Sequence, residues 1–209
     1  MMTGRLQMPG KRERTLLGMQ ALFGVFLFSV CLIMGLKRTS AVNAGVILGM
    51  LPAVTALLSV LILRERLNLR YLTGIGFSVL GAVLLESRSG QLGGFGNDSS
   101  GIIGMLLILG AVACEALFGV IGKLAGVTLP AITITTWITL IGVALFAPFA
   151  AVEASHFDFA AVSLNTWLLL LYYAVVVTVI GFSLFYRGLA RISVTAAGVH
   201  MAWAPLSAG

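Results

Sequence analysis

Seven long apolar runs restrict how this chain folds more than any other feature does. About 20 consecutive apolar residues cross the hydrocarbon core of a bilayer as a helix. The composition agrees, because 59% of the 209 residues are hydrophobic and 10% are charged, whereas soluble domains carry about 25% charged residues. We therefore predict an all-α polytopic membrane protein with spans A to G at residues 16–36, 41–63, 71–85, 102–122, 129–152, 167–186 and 192–209.

The basic residues predict how these spans are oriented, since cytoplasmic loops retain Lys and Arg. When the loops alternate between the two faces of the bilayer, ten basic residues fall on the side of the N-terminus and three on the other. The ten are Arg5, Lys11, Arg12, Arg14, Arg64, Arg66, Arg70, Lys123, Arg187 and Arg191, and the three are Lys37, Arg38 and Arg88. We expect a protein of the inner (cytoplasmic) membrane with its N-terminus in the cytoplasm.

An internal repeat relates span B to span G. Residues 35–56 and 188–209 align at a constant offset of 153 with eight identities in 22 positions, among them the prolines Pro52 and Pro205. The two copies are five spans apart, and this odd number means that the chain enters them from opposite faces of the membrane. Inverted repeats with interrupted helices are typical of secondary transporters. We predict a first repeat at 1–86, a Gly- and Ser-rich connector at 87–101 and an incomplete second repeat at 102–209.

Residues 36–85 resemble the body of an EamA-type repeat of the drug/metabolite transporter superfamily. They contain a small-residue span with a mid-helix proline, the Glu-containing turn RERL at 64–67 and a Gly-rich span, and the resemblance resumes in GLARISVTAAGVHMAWAP at 188–205. It implies two inverted five-helix repeats, ten spans in all, around a central cavity that exports or imports small metabolites. By that pattern two spans before residue 16 and about one and a half after residue 209 are missing, so we expect a truncated member.

Small residues form a helical stripe in span B and again in span G. The stripe includes Gly45, Gly49 and Pro52 in span B, and Gly198 and Pro205 in span G. Small faces let helices approach closely, and a proline leaves a backbone carbonyl without its intrahelical partner. Close packing around a tolerated kink explains either proline alone. Because the prolines recur at equivalent places in inverted repeats, we expect the two stripes to line a cavity.

Glu115 lies near the middle of span D, in GAVACEALFGVIGK. A charged side chain there costs about 3 kcal/mol or more on insertion scales, so it should face protein or water. Gly119 shares its helical face and leaves room beside it. The segment EALFGVIGK, residues 115–123, is similar to the first span of the small multidrug resistance branch of the same superfamily, and this implies a glutamate that exchanges a cation for a proton. A structural glutamate is the alternative.

Three further polar or aromatic residues are candidates for the solute pathway. His200 and Trp203 lie in span G opposite its small stripe, and Asn43 lies near one end of span B. A membrane histidine binds a solute or proton, or serves as a structural donor. Trp203 stacks on a cationic or aromatic solute, or packs against neighbouring helices.

The sequence favours a secondary transporter that works by alternating access, with export as the expected direction. Its partners would be a small-molecule solute, a proton as a candidate coupling ion, and the lipid bilayer, and its oligomeric state stays open. We expect no nucleic-acid partner, since the basic residues lie at span ends, and we expect no cofactor and no metal. A lipid-headgroup flippase or a non-transporting membrane subunit is the alternative, and a membrane-embedded enzyme is a weaker one.

The enzyme alternative depends on Glu153, His156 and Asp158 in the loop between spans E and F. Three such groups are able to perform acid–base chemistry, but their spacing matches no hydrolase or zinc motif. We predict that replacing all three with alanine leaves solute transport unchanged, as measured by uptake into membrane vesicles. Loss of a hydrolytic activity in that variant would favour the enzyme instead.

Overall fold

The computed structural model describes residues 8–65, 69, 72–77, 80, 99–126 and 128–201. Nine α-helices are labelled here in chain order. They are α1 (Lys11–Ala21), α2 (Phe28–Leu36), α3 (Ala41–Leu48), α4 (Leu51–Leu58), α5 (Ser99–Gly126), α6 (Ala131–Ala154), α7 (Leu164–Tyr172), α8 (Phe182–Leu189) and α9 (Val194–Met201). Leu22–Leu27, Ser59–Leu63 and Tyr173–Gly181 are π-helical, Phe159–Ala161 forms a 3₁₀ turn, and residues 72–77 are helical.

Five helical segments in the described part of the chain, one of them interrupted by a short turn, are long and apolar enough to cross a bilayer. They are Lys11–Leu36, Asn43–Leu63, Gly101–Gly126, Ala131–Ala154 and Leu164–Leu189. These segments correspond to spans A, B, D, E and F, and no described residue lies in a strand. The prediction of an all-α polytopic membrane protein is confirmed. Most of span C, the second part of span G and residues 87–98 of the connector lie outside the described residues.

Span B is divided into two helices just before its proline. The first, α3, ends at Leu48, and the second, α4, begins at Leu51 with Pro52 in its first turn. Proline is suited to this position because its fixed φ fits a helix and the first-turn N–H groups have no partner within the helix. Met50 has a ψ of −6°, so the chain makes a short turn there instead of continuing the helix.

The sequence repeat has a local structural counterpart at the start of α3 and α9. Ser40 caps α3 by accepting a hydrogen bond from the backbone N–H of Asn43 at 3.1 Å. Ser193, which aligns with Ser40 at the offset of 153, caps α9 by accepting from the N–H of Ala196 at the same distance. Serine is a preferred N-cap because its oxygen satisfies a first-turn donor. The two aligned serines therefore begin equivalent helices in the two copies.

The chain forms two compact units, residues 1–22 with 121–191 and residues 23–120 with 192–209. In the second unit, glycines bring α2 and the loop after it against α5. A Cβ added at Gly35 would lie 2.6 Å from Cδ1 of Ile108, and one at Gly104 would lie 2.9 Å from the carbonyl carbon of Arg38. The side chain of Phe118 occupies the place where Gly24 would carry a Cβ. These glycines are required for the close approach of the helices.

In the first unit, α6 packs against α1 and α8. Thr133, Ile134 and Ile138 of α6 are buried, and Leu17 and Ala21 of α1 are fully buried. In contrast, most side chains of α7 and of the π-helical segment after it are exposed. This distribution is typical of a helix whose side chains face lipid, because in a membrane the lipid tails are as apolar as the side chains.

A helical glycine that has a close neighbour and one that has none give a matched test of this packing. Gly104→Ala places a methyl group against the backbone of Arg38, so we expect a loss of about 1–3 kcal/mol in the free energy of unfolding. Gly18 has open space around it, and Gly18→Ala should be neutral or stabilising by up to about 1 kcal/mol. Thermal unfolding of the purified variants in detergent measures both. Equal stability of the two variants would contradict the close approach of α5.

Candidate functional site

Glu115 of α5 is half-buried. It lies on the face of α5 that packs against other helices. Residues of a helix share a face when they are separated by about one or two turns, three to four or seven residues. Seven residues before Glu115, Ile108 packs on Gly35 of α2, and four residues after it, Gly119 lies beside α9 with Val194 3.5 Å from the position of its missing Cβ. The carboxyl group therefore projects into the side of α5 that contacts α2 and α9.

The opposite face of α5 carries exposed apolar side chains. Leu106, Leu109, Ile102 and Ile103 are 62%, 42%, 50% and 50% exposed. In contrast Ala111, Val112 and Ala116, which lie next to Glu115 on the helix surface, are at most 1% exposed. A bilayer around this helix would contact the face with these four exposed side chains, because protein covers the opposite face. Glu115 thus lies on the protein-covered side, where a membrane carboxylate is least costly.

The small stripes of the two repeat copies meet in the second unit. A Cβ added at Gly198 of α9 would lie 3.1 Å from Cγ2 of Thr55 of α4, so the two helices approach closely at these residues. Pro52, Thr55 and Ala56 of α4 are buried. Because α9 also contacts Gly119 of α5, helices from the two copies of the repeat and the helix with Glu115 lie side by side.

The remaining predicted site residues occupy different environments. Asn43 is 7% exposed near the start of α3. Gly45 is exposed and has no atom near the position of its missing Cβ, while Gly49 directly follows α3 and is half-buried. The structure therefore does not place Gly45 at a helix contact. The backbone of His200 is helical, but its side chain, Trp203 and Pro205 lie outside the described part of the chain.

Glu153, His156 and Asp158 of the loop between spans E and F are exposed. Glu153 lies at the end of α6, and the other two follow it. The Nδ1 atom of His156 is 2.8 Å from Oγ of its neighbour Ser155 and 3.3 Å from the carbonyl oxygen of Val152. These are local contacts within one turn of chain. Among the described residues, no group of three or more His, Cys, Asp and Glu side chains is arranged to hold a metal ion.

A buried polar pair in the first unit was not recognised from the sequence. Gln20 of α1 is fully buried, and its Nε2 donates a hydrogen bond of 2.7 Å to the hydroxyl of Tyr186 on α8. Gly122 makes room for it, since an added Cβ would lie 2.5 Å from that Nε2. The sequence does contain a signal for this hydrogen bond. Gln20 is a polar residue inside an otherwise apolar span, where a polar group needs a partner within the protein.

Lys123 of α5 makes a second polar contact in the same unit. Its Nζ donates a hydrogen bond of 2.6 Å to the carbonyl oxygen of Leu189, the last residue of α8. A cation is favourable there because the final carbonyl groups of a helix carry a partial negative charge. The contact places the end of α5 next to the turn that follows span F.

Comparison with known proteins agrees with this architecture. The model of the EamA-like transporter family matches residues 1–87 and 102–209. A solved crystal structure of another protein aligns with a TM-score of 0.73 over 96% of this chain and 66% of that chain, at 23% sequence identity. This likeness shows the fold alone.

Two curated relatives from Bacillus subtilis (strain 168) are named as transporters. The uncharacterized transporter YetK is 34% identical over 201 residues, which are 95% of this chain and 59% of that protein. The uncharacterized transporter YyaM is 28% identical over 172 residues, which are 82% of this chain and 55% of that protein. The chain thus spans less than two thirds of the length of either relative. With the family model matched over most of its length, the chain belongs to the EamA-like transporter family.

The Gln20–Tyr186 pair gives a test of the polar contact in the first unit. Tyr186→Phe removes the acceptor, and we expect a loss of about 0.6 kcal/mol in stability, the average for hydrogen bonds between membrane helices, and at most about 1.7 kcal/mol. Adding Gln20→Leu should restore most of it, since replacing both partners by apolar groups leaves no unsatisfied donor. Thermal unfolding of both variants measures this. Additive losses in the double variant would contradict the pairing.

Proposed function

We propose that this chain is the transporting part of a membrane transporter that moves a small solute by alternating access. The observation that supports this most directly is a half-buried carboxyl group, that of Glu115, in the middle of a membrane-crossing helix and on its packed face. Acidic residues inside a membrane are costly and usually belong to ion, proton or solute pathways. The family and the names of the two relatives agree with transport.

The chemistry of the Glu115 site favours the exchange of a cationic solute for a proton. One carboxyl group holds either a proton or a cationic solute, and the two compete for the same oxygens. A site that alternates between the two faces of the membrane then moves one species in each direction and couples the solute to a proton gradient. We therefore infer a cationic solute, driven outward by proton entry, with Glu115 as the shared binding group.

The broken span B supports the conformational part of the proposal. The turn at Gly49–Met50 separates α3 from α4, and α4 contacts α9 through Thr55 and Gly198. Helices interrupted near the midplane and related by inverted repeats are where transporters of this kind rock or bend. We infer that α4 and α9 change their mutual position during the cycle, because they belong to the two equivalent copies.

Two contacts agree with the alternation of loops on which the inferred orientation depends. In the first unit Lys123 reaches the turn after α8, and in the second unit Glu65, flanked by Arg64 and Arg66, reaches the start of α9. In each unit, two of the loops that the charge asymmetry assigns to the basic face therefore lie together. The excess of Lys and Arg on that face favours the cytoplasm of a cell with an inner membrane.

The experiment that tests this function measures proton flux in liposomes that contain the protein and an imposed pH gradient. A panel of organic cations, neutral metabolites and anionic metabolites is added, and a pH-sensitive dye reports the internal pH. We predict that at least one organic cation releases the gradient with wild-type protein. With Glu115→Gln the flux should fall to that of empty liposomes, since an amide does not exchange a proton for a cation.

Two further variants make the result specific. Glu115→Asp keeps the carboxyl group and should retain part of the flux. Glu153→Gln removes an exposed carboxyl group at the end of α6 and should behave as wild type. Full flux in folded Glu115→Gln would remove Glu115 from the mechanism. Flux caused only by phospholipid headgroup analogues would instead favour a flippase.

A further inference from the structure

The carboxyl group of Glu65 connects the turn after span B to the start of span G. Its Oε1 accepts a hydrogen bond of 3.1 Å from the backbone N–H of Val194. Its Oε2 accepts from the N–H of Thr195 at 3.4 Å and from the hydroxyl of Thr195 at 3.0 Å. Val194 and Thr195 are each 1% exposed, so these donors are buried. One side chain from the first repeat thus makes three hydrogen bonds to the second.

The backbone before Glu65 is shaped to make this contact. Arg64 has a φ of 53° and a ψ of 35°, and among the described residues it is the one non-glycine with a positive φ. Glycine is the usual residue in that left-handed conformation, and an arginine there is strained. The left-handed residue ends the helical segment Ser59–Leu63, and Glu65, the next residue, reaches α9.

The start of α9 depends on Glu65 as well as on its own cap. Ser193 satisfies the N–H groups of Ala196 and Ala197, with its side chain and its carbonyl oxygen. The N–H groups of Val194 and Thr195 are satisfied by Glu65. First-turn N–H groups have no partner within their helix, and burying them unpaired is costly. When Glu65 moves away, water has to take its place at both groups.

We propose that Glu65 is a latch that holds α4 and α9 together at the end next to the Arg64 turn, and that the two helices separate there only when the carboxyl group leaves the start of α9. The latch holds helices from the two inverted copies together, at the face that carries the Arg64 turn. Because its release requires water at Val194 and Thr195, opening and hydration of this end occur together. The proposal rests on the transport function proposed above, since it describes one gate of that cycle.

The experiment measures how fast a cysteine behind the latch reacts with a membrane-impermeant maleimide. Ser59 is suitable because it is fully buried, lies six residues before Glu65 and begins the helical segment Ser59–Leu63 that the Arg64 turn ends. Ser59→Cys is placed in a background of Cys31→Ser and Cys114→Ser, which removes both native thiols. The rate is measured in right-side-out and in everted membrane vesicles, with Glu65 present and with Glu65→Ala.

We expect Glu65→Ala to raise the labelling rate about tenfold from the face of the Arg64 turn, with no increase from the other face, because the open state becomes more populated. Glu65→Gln should also raise the labelling rate, since the NH₂ group of glutamine is a donor and does not accept a hydrogen bond from a backbone N–H group. Thr195→Val, which removes one of the three hydrogen bonds, should have a smaller effect. Glu153→Gln, a carboxyl group removed at an exposed position, should leave the rate unchanged.

A purely structural cap would give a different result. In that case Glu65→Ala lowers the melting temperature but leaves the labelling rate at Ser59→Cys unchanged from both faces, and this outcome overturns the latch. If Glu65→Ala does not fold, the same comparison is made with Thr195→Val and Glu65→Gln, and unchanged rates in both overturn it equally. Raised labelling in a protein without solute-dependent proton flux supports the latch and counts against the proposed transport, so the two failures are distinguishable.

Discussion

The requirement that buried backbone N–H groups at helix starts find an acceptor inside the protein shapes the architecture of this chain. In lipid there is no water to satisfy backbone donors, so each helix start within or near the membrane needs a cap. Ser40 and Ser193 supply equivalent caps to α3 and α9. Glu65 supplies the remaining acceptors for α9. The start of α9 in the second copy is thus capped partly by Glu65 of the first copy. This contact holds the two copies together at that point.

Glycine contacts determine which side of α5 faces protein. Gly24 and Gly35 admit side chains of α5, and Gly119 brings α5 close to Val194. Because these contacts lie on one face, the carboxyl group of Glu115 lies among them and not beside the exposed Leu106. A charged group in the middle of a membrane helix is thereby kept away from lipid, as a solute or proton site requires. The function that we propose depends on this arrangement.

Composition and periodicity were sufficient to predict the helical membrane fold and five of the seven spans, because long apolar runs have few alternatives in water or lipid. The aligned serines and prolines of the repeat were also visible in the sequence. A helix break beside Pro52 was expected from the proline itself, and the structure has it at Gly49–Met50. The left-handed Arg64 and the position of Glu65 were not predicted, because the contact of Glu65 joins residues that are far apart in the chain. Gly45 was expected to line a cavity, and no atom lies within 4 Å of the position of its missing Cβ, so this expectation stays a prediction.

The orientation of Glu115 is the central claim, and spin-label accessibility along α5 tests it most directly. A nitroxide is attached in turn to cysteines at positions 115, 119, 106 and 109 in protein without its two native cysteines, and collisions with oxygen and with a water-soluble nickel complex are measured in bilayers. We predict low oxygen accessibility at 115 and 119, some access of the nickel complex at 115, and high oxygen accessibility at 106 and 109. A label at 115 as accessible to oxygen as one at 106 would place Glu115 in lipid and contradict the account.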